Sequence, residues 1–410
     1  MLQIRKLRLP AIAFCAVFTF LMACAGGTEE DPGYTHVIAA SEVVRFEADG
    51  SLEKIQDVAV AVSGEIWALQ RTRAPHLFVY SADGDLHDSF ATTGSGRNEL
   101  HNPFNLLPHD DPGFPMAVWD AGNRRISTFN PYGRASSVPV TRSRSNPYAE
   151  IERHTYGKPL AMAPLGDTYI LMDHSDGLSY TVDYLRSELL RLDQGGELVD
   201  TLIDYGREFA DSIAALGRDV NFLTPIPLWA TCADGEMAIL NPFTRTLRWH
   251  GSDGAVLETE TLRIPVRAIT EDDQRTFWKQ RFETQWYEQQ EGEPDSTIIA
   301  ASVDNYMLRH LDQLSEVAPP AVAMMCAGGR EVWLQEFSTS DNPLGFGNRW
   351  LVHSPGTAER VYVQFPATFR PIRIAERRVY GVSTAEDGVE VVAYVTVPET
   401  IGPAPDEAGH

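Results

Sequence analysis

One hydrophobic pattern recurs along the chain. An apolar run meets a tight glycine turn, and a β-branched or aromatic run follows. A polar loop, another strand, a second glycine turn and a fourth strand complete the unit. The first turns with their second strands read SGEIWALQ (Gly64, Trp67), DPGFPMAVWD (Gly113, Trp119), LGDTYILMD (Gly166, Tyr169), DGEMAIL (Gly235), GGREVWLQ (Gly329, Trp333) and ERRVYGVS (Tyr380). Third strands with their turns read HLFVYSADGD, RRISTFNPYG, SELLRLDQGGE, TLRWHGSDG, RWLVHSPG and, without a turn, VEVVAYVTV. Strand alternation bounded by Gly, Asp and Asn turns predicts β-meanders. From Gly64 through Gly113, Gly166 and Gly235 to Gly329 the steps are 49, 53, 69 and 94 residues.

Six such units predict an all-β fold: a six-bladed β-propeller of four-stranded blades. The last unit has no fourth strand after VEVVAYVTV, whereas SEVVRFEADG near the N-terminus is a strand without an earlier partner. Joining the two makes residues 42–47 the final strand of blade six. Ring closure of this kind removes the edge that an open sheet must protect.

Inserted helices account for the over-long steps. TEDDQRTFWKQRFETQWYEQQE sets Trp278, Phe282 and Trp286 at i, i+4 and i+8, behind Thr270 as N-cap and acids in the first turn. ASVDNYMLRHLDQLSEV puts Val303, Met307, Leu311 and Leu314 on one face. Residues 269–317 are therefore expected as a helical hairpin between blades four and five. GREFADSIAALG (Phe209, Ile213, Leu216) predicts a smaller helix between blades three and four. The aromatic stripe of the first helix packs the hairpin onto the propeller or, where exposed, offers a patch to a partner protein.

Composition narrows the partners. The 410 residues are 43% apolar, enough for a real core, and Lys+Arg 34 against Asp+Glu 57 gives a net charge of −23. A surface that acidic argues against nucleic acid and against electrostatic docking on anionic lipid.

The N-terminus reads as an export signal: basic MLQIRKLRLP, apolar AIAFCAVFTFLMA, then small residues at ACAGG. The tetrad Leu21-Met22-Ala23-Cys24 resembles the bacterial lipobox, which implies lipidation at Cys24 as the mature N-terminus. Ala25 rather than Asp after the cysteine points, by the rules of that signal, to the outer membrane or cell surface. The expected organisation is residues 1–23 as signal peptide, 24–41 as linker, 42–398 as propeller and 399–410 as a disordered tail. Only Cys232 and Cys326 remain for an oxidising compartment. Their equivalent repeat positions read as two buried small hydrophobes, with a single bridge as the alternative.

The chain resembles the six-bladed propeller lipoproteins of bacteria, distantly similar to NHL-repeat proteins. The resemblance runs from about residue 42 to residue 397 and is carried by GEIWAL…HLFVYSADGDL, AVWDAGNRRISTFNPYG and LSEVAPPAVAMMCAGGREVWLQ. TTGSGRNELHNPF resembles the family's Gly-rich, Glu-containing connector between blades one and two, with Arg97-Asn98-Glu99-Leu100 where the family often has Pro-Gly-Glu-Phe. Similar propellers include gluconolactonase-like enzymes with a divalent ion and amidating lyases with zinc; neither ligand set maps here residue by residue.

Alternating strand direction sends the first-to-second and third-to-fourth turns to one face. On that face the turns are short (SG, ADGD, NPYG, QGG, SPG), and PHDDPG (His109, Asp110, Asp111) reads as turn chemistry. Every long segment emerges on the other: residues 71–75, 92–103, 120–125, 141–158, 173–186, the helical insertions and 336–348. Function concentrates on such loops over a rigid scaffold. Arg71, Arg73, Arg124, Arg125 and Arg245 recur after second strands, either ringing the channel mouth for a carboxylate or phosphate or pairing with Asp120, Asp173 and other acids to stitch blades together. MDHSDG (Asp173, His174, Asp176) has the composition of a divalent-cation or general-base site, and also of an Asx turn. The expected protein is a monomeric, envelope-tethered binding or interaction module. Its partner would be an envelope protein, a glycan or a small anionic ligand, and its lipid anchor its one membrane contact. A metal-assisted lyase or hydrolase at the channel mouth, using a divalent cation, is the alternative.

Overall fold

The computed structural model describes residues 34–46, 52–109, 111–140, 161–165, 168–174, 187–204, 227–232, 235–265, 268–289, 295–309, 318–337, 346–355, 360–375, 377–385 and 388–398. An N-terminal segment carries strands β1 (Tyr34–Val37) and β2 (Val44–Arg45) around one 3-10 turn. Blade one is β3 (Ile55–Val60), β4 (Ile66–Gln70), β5 (Leu77–Tyr80) and β6 (Leu86–Phe90). A parallel ladder of β7 (Thr92–Thr93) with β8 (Glu99–Leu100) leads to blade two. That blade is β9 (Pro103–Pro108), β10 (Met116–Asp120), β11 (Arg125–Phe129) and β12 (Ala135–Pro139). Blade three is β13 (Ala161–Leu165), β14 (Thr168–His174), β15 (Ser187–Leu192) and β16 (Leu198–Asp204). Blade four is β17 (Leu228–Thr231), β18 (Met237–Asn241), β19 (Thr246–His250) and β20 (Val256–Thr261). Helices α1 (Glu271–Gln289) and α2 (Ser296–Arg309) follow. Blade five is β21 (Ala323–Cys326), β22 (Val332–Phe337), β23 (Phe346–His353) and β24 (Val361–Gln364). Blade six is β25 (Phe369–Ala375), β26 (Arg378–Thr384) and β27 (Glu390–Thr396).

The N-terminal strand closes the ring as expected. β2 pairs antiparallel with β27 (Val44↔Tyr394, Arg45↔Ala393), and the Phe46 N–H extends the ladder to the Val392 carbonyl at 2.9 Å. The preceding residues differ from the expectation of a linker over 24–41. β1 runs parallel to β24 (Tyr34↔Val361 to Val37↔Gln364) and gives blade five a fifth strand. An outer propeller strand leaves its backbone edge unpaired, so any extended segment passing along it can add to the sheet.

Each seam between blades is its own hydrophobic core. Trp67, Leu69 and Val79 of blade one pack with Leu106, Met116 and Phe129 of blade two, and Val58, Ala68 and Phe78 pack with Tyr380 and Val382 of blade six. The remaining seams repeat this from blade two round to blade six. A second strand is therefore covered on both faces, which is why IWALQ and MAVWD are buried at every position and lack polar alternation. Outermost strands keep one side in water, as in VLETET. The tight turns need positive φ, which Gly64 supplies at +93°.

The hairpin falls between blades four and five. Thr270 caps α1, its Oγ1 accepting from the Asp273 N–H at 3.1 Å while the Asp273 carboxylate accepts from the Thr270 N–H at 3.0 Å. Phe277 and Trp278 are buried with Ile299, Val303 and Met307 of α2 and with Phe337 of β22. The Trp278 and Tyr306 rings lie 3.9 Å apart. So the aromatic stripe is packing, as far as its side chains are described; Trp286, Leu311, Leu314 and the helix expected near residue 209 lie outside the described residues.

Cys232 and Cys326 form a disulfide, with Cα atoms 4.8 Å apart and a sequence separation of 94. This corrects the expectation of two separate buried hydrophobes. Equivalent positions on the inner strands of adjacent blades are neighbours across a seam, so the same repeat logic brings the thiols together.

Candidate functional site

The long-loop face is organised by carboxylates and amides at the ends of second strands. Asp120, fully buried at the end of β10, accepts hydrogen bonds from the His101 N–H (2.8 Å), Asn123 Nδ2 (2.7 Å) and Arg125 Nε (3.1 Å). Arg125 in turn donates to the carbonyls of Ser95 (3.0 Å), Gly96 (2.8 Å) and Glu99 (2.6 Å). Asn123 Nδ2 also donates to Gly94, and the Gly122 N–H to His101, at 2.9 and 2.7 Å. A Cβ on Gly122 would overlap that His101 carbonyl, so the loop needs glycine there. From blade one, buried His76 bridges the Gln70 carbonyl (3.0 Å) and Thr93 Oγ1 (2.9 Å). Together these groups hold the TTGSGRNEL connector over the seam of blades one and two.

The other arginines meet loops as well. Arg71 donates to Asn102 Oδ1 at 2.5 Å and lies over the Phe104 ring, and Arg73 pairs with Glu53 at 2.9 Å in the open. Arg245 donates to the Ile264 carbonyl at 3.1 Å. Arg124 is exposed at φ +50°, with its carbonyl accepting from Val140. Asp173 and His174 end β14 opposite Glu188 and Ser187, with side chains outside the described set; Asp176 and Cys24 lie outside the described residues altogether. At the opposite face Asp111 Oδ1 accepts from the Gly113 N–H at 2.8 Å, a turn bond. Among the described residues no three His, Cys, Asp or Glu side chains converge to hold a metal ion.

A second polar cluster lies in the channel wall, and it was not singled out from the sequence. Three inner strands carry a bulge: Gln56 is the extra residue in β3, Phe104 in β9 and Ile372 in β25. The residue after each bulge is Asp57, Asn105 and Arg373, and a bulge re-aims the side chain beside it. Asp57 is buried; its carboxylate accepts from the N–H groups of Val58 (2.9 Å) and Leu106 (2.8 Å) and from the Asn105 side chain. Arg373 Nη2 lies 3.8 Å from Asp57 Oδ2 and donates to the Leu106 carbonyl at 3.3 Å. Blades six and two are not neighbours, so that bond crosses in front of blade one at the central channel. Arg370 Nη2 donates to the Ile55 carbonyl at 2.6 Å. The available signal was an aspartate inside the apolar run IQDVAV and two arginines inside FRPIRIA.

The chain resembles solved structures of diverse activity. It is similar to a virginiamycin B lyase from Staphylococcus aureus (10% identity, 90% of this chain and 97% of that one, TM-score 0.41). It is similar to a Bacteroides fragilis protein named for its export (9%, 89% and 99%, TM-score 0.49). It is also similar to a calcium-binding regucalcin from Agrobacterium tumefaciens (8%, 89% and 95%, TM-score 0.45). No protein-family model matches the chain, and no curated protein matches it by sequence. The six-bladed arrangement rests on the chain's own strand pairing. Among the described residues no helix is long and apolar enough to cross a membrane.

Burial raises the Asp57 pKa above the ordinary carboxylate value, against the lowering effects of Arg373 and the backbone donors. A raised folded pKa contributes stability that is complete below the unfolded value and is lost as pH rises through the folded one. The stability of the native protein minus that of Asp57→Asn should therefore fall from pH 4 upward, as read from denaturant melts. A difference that grows with pH would refute this.

Proposed function

We propose that this protein is an exported, lipid-anchored propeller of the bacterial lipoprotein type, acting as a binding or interaction module through its long-loop face. The observation that carries the reading is the buried Asp120–Arg125 network, which holds a glycine-rich connector in one conformation on that face. A loop ordered before contact loses little conformational entropy on binding, which favours recognition. The basic and apolar leader with Leu21-Met22-Ala23-Cys24 supports export and anchoring at the outer membrane or cell surface. The partner is an envelope protein, a glycan or a small anionic ligand.

The test uses the full chain in a bacterial host with an outer membrane. Native protein should pellet with membranes, and Cys24→Ser should be released to the soluble fraction. In the same cells, a photoreactive residue at exposed Thr72 on the long-loop face should crosslink an envelope component that the same residue at exposed Ser63 does not. Retention of the serine variant overturns the anchor, and equal crosslinking from both positions overturns the choice of face.

A further inference from the structure

We infer that the central channel of blades six, one and two binds a small oxyanion, a carboxylate or phosphate group, on Arg373 and Arg370. This rests on the binding-module reading and gives it a site and a ligand chemistry. Both arginines come from β25, and the bulge at Ile372 keeps them on the side that reaches blades one and two. Each uses only Nη2 on backbone carbonyls, and among the described residues the remaining donors of both guanidinium groups have no hydrogen-bond partner. A guanidinium presents five donors in a planar fork suited to two oxygens at once.

Charge supports the assignment. The nearest carboxylate, Asp57, sits 3.8 Å from Arg373, beyond hydrogen-bonding distance, and its oxygens are taken by Val58, Leu106 and Asn105. A chain of net charge −23 thus carries two arginines on the innermost strand of blade six. Arg373 is 30% exposed, so a small anion in solvent can reach it. Low-dielectric walls focus that local positive potential.

Calorimetric titration of the full-length protein in detergent with sodium succinate and with inorganic phosphate tests the site, chloride holding the ionic strength constant. Saturable binding of one or both is expected, and the two arms distinguish carboxylate from phosphate recognition. Arg373→Gln should weaken binding at least tenfold and Arg373→Lys several-fold, whereas Arg275→Gln on the surface of α1 should leave it unchanged. The lysine variant keeps the charge in place if the glutamine variant fails to fold. No saturable binding of either anion, or equal binding by Arg373→Gln and native protein, overturns the inference. Failure here with retained crosslinking at Thr72 would leave the module reading standing, because that readout concerns a different surface.

Discussion

Replacing Asp120 by alanine is expected to cost about 3–5 kcal/mol of unfolding free energy, because it strands the Arg125 charge in a largely buried site. Arg125 is 13% exposed beside a fully buried partner, so water can replace little of what is lost. The loss spreads through one network: the His101 N–H and Asn123 lose an acceptor, and the guanidinium that holds the Ser95, Gly96 and Glu99 carbonyls loses its orientation. Asp120→Asn retains an acceptor for the His101 N–H and should cost less. Denaturant midpoints of the two variants check the order. A loss below about 1 kcal/mol for the alanine variant would mean that the network is no stronger than an exposed pair. The connector of blades one and two should loosen first, visible as faster amide exchange over residues 92–100.

Removing the Cys232–Cys326 bridge is the second large effect. The bridge spans 94 residues, for which chain-entropy arguments give about 4.7 kcal/mol, within a general range of about 2–5. Its position explains why blades four and five carry it. Elsewhere consecutive blades are joined by shorter connectors, whereas here α1 and α2 intervene, so closing this seam costs more chain entropy. Arg330 adds a non-covalent clasp to the same seam, bidentate to Glu236 at 2.8 and 3.1 Å and bonded to Glu258 at 2.7 Å. Those groups are part-exposed, so their share is modest. Reductant, or Cys232→Ser with Cys326→Ser, should lower the unfolding midpoint, and the double variant should no longer respond to reductant. A midpoint unchanged by reduction would contradict the assignment.

The elements of the propeller were legible because they depend on neighbours along the chain. SGEIWALQ specifies its turn through Gly64 and its double-sided burial through an unbroken apolar run, and the later repeats do the same. The closing strand could be read from counting: blade six lacked one and the N-terminus had one spare. The helical hairpin followed from aromatic spacing and the Thr270 cap. Register was also local, since one slip would turn a buried face to a different seam.

What depended on distant residues meeting was decided by the ring. Equivalent positions suggested that Cys232 and Cys326 were alike; only the placing of adjacent inner strands made them bonded. Residues 34–37 look like linker in isolation, and a free edge on blade five turned them into β1. The arginines after second strands drew attention by recurrence, yet Arg71, Arg73, Arg125 and Arg245 have partners on connectors and loops. Asp57, Asn105 and Arg373 showed no common spacing, being 48 and 268 residues apart, and no local pattern marks the bulges that aim them. Short-range sterics and burial period are written in consecutive residues. Electrostatic partnership across a closed ring is written only in the distances that closure creates.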